Sequence, residues 1–370
     1  MTRVRLAALL VALVLAVTST GVAANAGSGA TAQAESLALT TADDFFALFQ
    51  DKNDWTWSGA DQATSLLASN GVIYWSFGDT VRGVEDPVTG AYEPGWWLVA
   101  NSILIQRDGE LTAAASAAAV PDPGGGDRYW TQGMFEANGY LYVLCQRVAN
   151  TPDGWFELRG VELAKFAFNS DGTLAFQRMV ETPSTGKVKG DSVGTAQYAA
   201  DAVVSGSYVY IFGYSNVPGD LENPHRSYVA RAQIGRVESA TSWRFYSDGQ
   251  WVSQMGDATP ILAAQVSSVR LVGGWWLLAY KPWNGWGDTV YVEKRSTPSG
   301  NPAATTTIYS PAGTTPGGQQ YQTYAPQLHP EQPLASGKLL VSIAWNGKTL
   351  GDVAADADLY KPRFYEISVP

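Results

Sequence analysis

The sequence predicts an all-β protein, a single five-bladed β-propeller, on three observations. Helical periodicity is hard to find after the N-terminal apolar run, short alternating runs bounded by Gly, Asn, Asp and Ser are frequent, and one turn-plus-strand signal recurs. The signal is a polar segment, a glycine turn, and then a strand rich in Trp, Tyr and Val. It stands at Asn70-Gly71-Val72-Ile73-Tyr74-Trp75, Asn138-Gly139-Tyr140-Leu141-Tyr142-Val143, Ser205-Gly206-Ser207-Tyr208-Val209-Tyr210, Gly273-Gly274-Trp275-Trp276-Leu277 and Ser336-Gly337-Lys338-Leu339-Leu340-Val341. Successive turn glycines lie 68, 67, 68 and 63 residues apart. Near-equal units of that length hold four strands of about five to six residues with their loops, which is what radial repetition of blades requires.

In chain order, Arg3 and Arg5 precede the apolar run from Leu6 to Val17, which is too short to span a bilayer. Residues 1–26 therefore read as a secretory signal peptide cleaved after Ala24-Asn25-Ala26, with Ala32-Gln33-Ala34 as second choice. A membrane anchor is the competing reading, but no lipobox cysteine and no second long apolar segment accompanies it. Residues 27–42 read as a flexible N-terminal segment and 43–370 as the propeller, in a secreted, extracellular protein. A strand between Ser36 and Phe49 is expected to pair with the C-terminal strand Asp358 to Val369 and close the ring. Gly124-Gly125-Gly126, Asn216 to Pro224 and Pro311 to Gly318 read as loops, because the repeat runs through them unbroken.

Each glycine turn joins an innermost strand to the next, so the segments before the turns should line the axis. These are Ser58 to Leu67, Arg128 to Met134, Thr195 to Val203, Ala264 to Arg270 and Tyr324 to Pro330. They carry Asp61, Gln62, Gln132, Gln197, Asp201, Gln265, Gln327 and His329, a polar lining that suits a ligand pocket better than a purely structural channel.

The formal net charge of −10 becomes −12 once Arg3 and Arg5 are removed with the leader. Such a surface repels polyanions, and no basic run interleaved with aromatics points to nucleic acid. An uncharged polymer is the easier partner, with no membrane partner and no cofactor expected. The single cysteine, Cys145, sits in the apolar run Tyr140 to Cys145 and reads as a buried thiol. With two histidines, His225 and His329, and no His-x-x-x-His or Cys-x-x-Cys spacing, neither a metal site nor a Ser-His-Asp triad is expected. Any chemistry falls to carboxylates.

Cleaving a glycosidic bond takes one carboxyl group to protonate the leaving oxygen and a second to act on the anomeric carbon, directly or through water. Asp61, in Trp57-Ser58-Gly59-Ala60-Asp61-Gln62, and Asp79, in Trp75-Ser76-Phe77-Gly78-Asp79-Thr80, lie on the two arms of the hairpin that turns near Gly71. They are similarly far from the turn, so both should emerge at one end as a catalytic pair. The competing reading is that each merely caps a strand and binds turn amides. Asp201, in Gln197-Tyr198-Ala199-Ala200-Asp201, is a candidate third acid that would adjust a neighbour's pKa or hold a sugar hydroxyl, and equally a turn carboxylate. The candidate substrate contacts are Gln62, Asn101, Trp130, Gln132, Gln197, Tyr198, Gln265 and His329. Of the 14 tryptophans, Trp55, Trp57, Trp96, Trp97, Trp130, Trp283 and Trp286 fall at strand ends or in loops, where an indole face suits a sugar's C–H face. Packing between blades is the commoner use of such rings. Trp130, on an inner strand, is the best placed.

At Trp75-Ser76-Phe77-Gly78-Asp79-Thr80 the sequence resembles the family of domain of unknown function 4185, glycoside hydrolase family 183, whose members include endo-D-arabinanases acting on mycobacterial arabinan. The resemblance continues through Asn101-Ser102-Ile103-Leu104, Tyr129-Trp130, Tyr208 to Gly213, Tyr228-Val229-Ala230-Arg231, Ser242 to Tyr246 with Gly249 and Trp251, and His329-Pro330, and so spans essentially the mature chain. It implies a five-bladed propeller and endo-acting cleavage of α-D-arabinofuranosyl linkages in arabinogalactan and lipoarabinomannan, with acidic residues at the axial mouth. Asp61 and Asp79 match the acidic positions of the first blade, and Asp201 carries over less firmly. Where a further acid is expected after Tyr129-Trp130, this chain has Thr131-Gln132.

Three other readings stand beside this one. A hydrolase of another furanoside or a pyranoside fits the same fold. A carbohydrate-binding propeller without catalysis would tend to repeat its ligand residues in every blade, whereas Asp61 and Asp79 have no acidic counterparts at matching offsets. A structural or protein-binding propeller predicts no acidic cluster at the mouth.

Overall fold

The computed structural model describes residues 39–370 except 153–155, 185–187, 190–195, 218–219, 221–223 and 283–286, and the side chains of 188 and 189. The expected leader with both candidate cleavage positions, residues 27–38, Thr195, Trp283 and Trp286 lie outside the described residues.

The chain enters through a helix, α1 (Ala42–Asp51), where the sequence reading expected a strand. Thr41 and Asp44 form a reciprocal capping box that satisfies the first turn's amides, and Phe45 and Phe49, one turn apart, bury one face. Phe49 stacks on Phe364 at 5.3 Å and meets Trp75 edge-on at 5.0 Å. The chain ends therefore do meet, but by a helix packing on the last strand and not by strand pairing. The apolar spacing of the segment has a period of 3.6, and the cap decides it.

Seven strands follow: β1 (Gly59–Ala60), β2 (Thr64–Leu67), β3 (Ile73–Phe77), β4 (Thr80–Arg82), β5 (Trp97–Val99), β6 (Ser102–Arg107) and β7 (Glu110–Ala113). They form a four-stranded sheet, β2-β3-β6-β7, and a small three-stranded sheet, β1-β4-β5. The second sheet is built on β8 (Asp127–Ala137), β9 (Tyr140–Asn150), β10 (Phe156–Phe168) and β11 (Leu174–Glu181), with β12 (Val188–Lys189) added beside β10. The third runs β13 (Gln197–Ser205), β14 (Tyr208–Asn216), β15 (His225–Gln233), β16 (Arg244–Ser247) and β17 (Gln250–Val252). The fourth has β18 (Gln265–Val272), β19 (Trp275–Lys281), β20 (Thr289–Arg295) and β21 (Pro302–Tyr309). The last has β22 (Gly313–Thr314), β23 (Gln320–His329), β24 (Leu339–Gly347) and β25 (Arg363–Ile367), with a short helix α2 (Leu350–Ala355) before β25. Each of these large sheets is an antiparallel meander in chain order.

The five predicted turn glycines each join the first long strand of a meander to the next strand. All five have positive φ, from 57° at Gly206 to 82° at Gly274, a conformation costly for any residue with a Cβ. The strands they leave, β2, β8, β13, β18 and β23, pack side by side in a ring that returns from β23 to β2. The apolar core is correspondingly divided. One cluster joins the first and second meanders (Tyr74, Ile103, Leu141, Phe166), the next the second and third (Phe135, Leu163, Ile211, Trp243). Others join the third and fourth (Phe212, Val269, Leu278), the fourth and fifth (Val292, Ile343), and the fifth and first with α1 (Leu340, Trp75, Phe49). Each fully buried large side chain contributes roughly 1.5–3 kcal/mol. Cys145 belongs to this core, fully buried, and burial raises its thiol pKa.

Candidate active site

All five ring strands lose their regular pairing part-way along. The ladder lapses between Thr131 and Met134 in β8, Gln197 and Asp201 in β13, Val266 and Ser268 in β18, and Tyr324 and Gln327 in β23. In the first meander the lapse is complete. Asp61, Gln62 and Ala63 separate β1 from β2, with φ of 78° at Gln62 and 66° at Ala63, and Gly78 and Asp79 separate β3 from β4. Bulges of this kind re-aim side chains and recur beside active sites.

Asp61 and Asp79 meet at that double break. The Asp61 amide donates to the Asp79 carbonyl at 3.3 Å, and the Gly78 amide donates to the Asp61 carbonyl at 3.2 Å. A Cβ at Gly78 would overlap Asp61 Oδ1, so the carboxylate takes the space that a side chain would fill. Tyr324 Oη donates to Asp61 Oδ2 at 2.9 Å and receives the Asn346 Nδ2 hydrogen at 3.0 Å. Asp61 Oδ1 is buried with no partner among the described residues. Trp130 Nε1 donates to Asp79 Oδ1 at 2.9 Å, and the indole is set edge-on against Phe156 at 4.5 Å.

These surroundings split the pair. Burial, and after it the charge of Asp79, pushes the Asp61 carboxyl up to about 8, against the Tyr324 hydrogen bond. Burial also pushes Asp79 up, to about 6, opposed by the Arg128 charge and the Trp130 hydrogen bond. The two titrate as a coupled unit, and near neutral pH the favoured state has the proton on Asp61 and the charge on Asp79.

The other residues singled out in the sequence are placed differently. Gln62 adjoins Asp61, with Oε1 buried and unpartnered among the described residues. Gln132 sits at the lapse in β8, bonded to Gln146 at 3.4 Å. Gln197 is 1% exposed, and neither atom of its amide has a partner among the described residues. Gln265, partly exposed, opens β18 opposite Lys281.

Four expectations are corrected. Asn101 is wholly buried and its amide is used up clamping Val120 (2.8 and 3.1 Å) and the Tyr129 carbonyl (3.0 Å), which leaves none of it for substrate. Tyr198 turns into the core between the second and third meanders, 5.3 Å from Phe245. His329 has no exposure, and both its nitrogens are engaged, by Ser65 Oγ at 2.5 Å and Ser342 Oγ at 2.8 Å. Asp201 is also wholly buried and fully partnered. Arg270 Nη1 donates to it, as do the Val269 amide at 2.6 Å, the Ser268 hydroxyl at 3.2 Å and the Ala202 amide at 2.8 Å. It fastens the third meander to the fourth instead of serving as a third acid.

Sequence reasoning did not single out Tyr324 or Asn346. The available signal was positional, since Tyr324 stands at the lapse of the fifth ring strand as Asp61 does at the first. Aligning the five ring strands on their lapses would have raised it.

A double break that brings two unequal, largely buried carboxyls together at one end of a ring of β-meanders defines an acidic site able to donate and accept a proton together. The sequence profile of domain of unknown function 5005 matches residues 43–369, and the chain belongs to that family. The crystal structure of a candidate hydrolase from Bacteroides ovatus superposes with a TM-score of 0.70 at 19% identity, over 87% of this chain and 88% of that one, and shares the fold. The GH43_1 enzyme of Xanthomonas citri (TM-score 0.47, 11% identity, 88% and 93% covered) and the GH32 β-fructofuranosidase BmSUC1 of Bombyx mori (0.46, 12%, 89% and 67%) are more distant. No curated protein matches the chain.

Proposed function

We propose that the protein is a secreted, endo-acting glycoside hydrolase on a five-bladed β-propeller, cleaving α-D-arabinofuranosyl linkages of mycobacterial arabinan with Asp61 as acid and Asp79 as its charged partner. The blade count is supported by the meanders in chain order, the ring of their first strands and the core clusters between successive sheets. The leader in residues 1–26 supports export. The arabinan reading rests on the resemblance along Trp75 to Thr80 and the later motifs, together with a net charge of −10 that disfavours a polyanionic substrate.

One observation carries the catalytic reading: two carboxyls come together at the double break, Asp61 bonded by Tyr324 and Asp79 by Trp130, and their unequal surroundings favour the proton on Asp61 and the charge on Asp79. In the reaction, Asp61 gives its proton to the glycosidic oxygen as the bond from that oxygen to the anomeric carbon breaks. Asp79 stabilises the positive charge that develops on the sugar and then either bonds to the anomeric carbon or takes a proton from the attacking water. In both cases water supplies the new hydroxyl; its second proton either returns directly to Asp61 or goes to Asp79, from which solvent removes it while returning a proton to Asp61.

The test is chain-length analysis of mycobacterial arabinogalactan and plant L-arabinan after incubation with wild type, Asp61→Asn and Asp79→Asn, each checked for folding. Release of short D-arabinan oligosaccharides by wild type, with rates about 10²–10⁴-fold lower in both variants, supports the proposal. Binding without cleavage would replace it with a carbohydrate-binding propeller, and cleavage of L-arabinan alone with a different furanosidase.

A further inference from the structure

The small sheet β1-β4-β5 carries two tryptophans that the site described above does not use. Trp55 and Trp97 are 43% and 46% exposed, yet their rings lie nearly parallel, 5.9 Å apart with 15° between planes. Both are held from below. Trp55 rides on the turn from Asp54 to Trp57, where Asp54 Oδ1 accepts the amides of Thr56 at 2.7 Å and Trp57 at 3.1 Å while Trp57 is buried in the core. Trp97 opens β5, just after Trp96, which packs against Tyr92 at 5.7 Å. Gly95, with φ of 102°, makes the turn before them, and Trp55 lies above it.

The sheet is continuous with the carboxylate site. β4 begins at Thr80, the residue after Asp79, and its register sets Thr80 opposite Val99, Val81 opposite Leu98 and Arg82 opposite Trp97. Three residues of strand, roughly 10 Å, therefore separate Asp79 from the level of Trp97. They run away from the Gly71 turn, on the end of the hairpin where the two carboxyls emerge. Rigid, exposed and nearly parallel indoles offer flat apolar faces to the C–H faces of sugars, and the acidic chain disfavours an anionic occupant.

We propose that Trp55 and Trp97 form a distal subsite that takes uncharged furanose residues of the polymer running out from the Asp61–Asp79 pair. The inference rests on the glycoside hydrolase reading and makes the enzyme a binder of chain segments beyond the cleaved bond. It predicts that Trp55→Ala/Trp97→Ala lowers kcat/KM on long arabinan about tenfold more than on a short arabino-oligosaccharide that reaches only the carboxylates. Equal losses on both substrates, or none on the polymer, overturn it. Affinity electrophoresis through gels containing arabinogalactan, with Asp61→Asn as background, separates this from the catalytic reading. If wild type cuts nothing but the tryptophans still set the retardation, the reaction assignment falls and the subsite stands. If the double variant is retarded as strongly as its parent, the subsite falls whatever the enzyme cuts.

Discussion

Asp61 and Asp201 begin as similar residues, since each sits at a lapse in a ring strand, each is walled by a neighbouring glycine, and burial raises the pKa of each. They differ in their partners. Asp201 is met by a guanidinium, two backbone amides and a hydroxyl, so all its acceptor capacity is spent and its charge is balanced. Asp61 has neutral tyrosine hydroxyls beside it, Tyr324 on Oδ2 and Tyr360 close by, no cation as partner among the described residues, and a second carboxylate nearby. A fully satisfied buried acid is a structural fastening, whereas a half-satisfied one keeps a proton ready to leave.

The largest expected effect breaks the fastening. Asp201→Ala takes the ion-pair partner from Arg270, which also donates to the Ser65 carbonyl across the ring at 3.1 Å, in a largely buried position. Loss of one partner of such a pair costs about 3–5 kcal/mol, read as a fall in urea midpoint. Should the variant not fold at all, Asp201→Asn, which keeps the shape and one of the two acceptor oxygens, is expected to fall between it and wild type. A stability loss below about 1 kcal/mol in the alanine variant would remove the distinction between the two acids.

Asp61→Asn is expected to act in the opposite direction on stability while slowing catalysis about 10²–10⁴-fold. The folded-state pKa of Asp61 is raised from 3.8 to about 8, so its contribution to stability is complete below about pH 4 and is lost as pH rises toward 8. Replacing it with a neutral amide removes that loss. The Tm difference between Asp61→Asn and wild type should therefore grow in favour of the variant from pH 5 to pH 8. A constant difference across that range would mean that Asp61 is not protonated in the folded protein.

What could be read from the sequence follows from what is local. The glycine turns, the period and the placing of Asp61 and Asp79 at one end of a hairpin depend on residues within one short stretch of chain. Asp201 could not be told from Asp79 by type or strand position, because Arg270, 69 residues on, decides its role. Asn101 and His329 were misread for the same reason, their partners being Val120, Tyr129, Ser65 and Ser342. The helix α1 is local too, but a run as apolar as Phe45 to Phe49 suits a strand or a helix, and the Thr41–Asp44 cap is what selects the helix. The small sheet β1-β4-β5 depends on the ring strand breaking at Asp61, which the repeat alone does not announce.

The smallest expected effect sharpens the comparison by moving Asp61 without removing it. With Asp61 protonated and Asp79 ionised as the working state, kcat/KM should be bell-shaped, with limbs near 6 and 8. Tyr324 donates to Asp61 Oδ2 and so favours the charged form, and Asn346 orients Tyr324 by donating to its hydroxyl. Tyr324→Phe takes away that donor while keeping the ring, which leaves the proton on Asp61 harder to remove. The alkaline limb should move to higher pH, the acidic limb, which belongs to Asp79, should stay, and Asn346→Ala should reproduce the alkaline shift to a smaller extent. A role confined to packing would change the height of the bell and leave both limbs in place, so the position of the alkaline limb decides whether Tyr324 tunes the acid or only fills the space beside it.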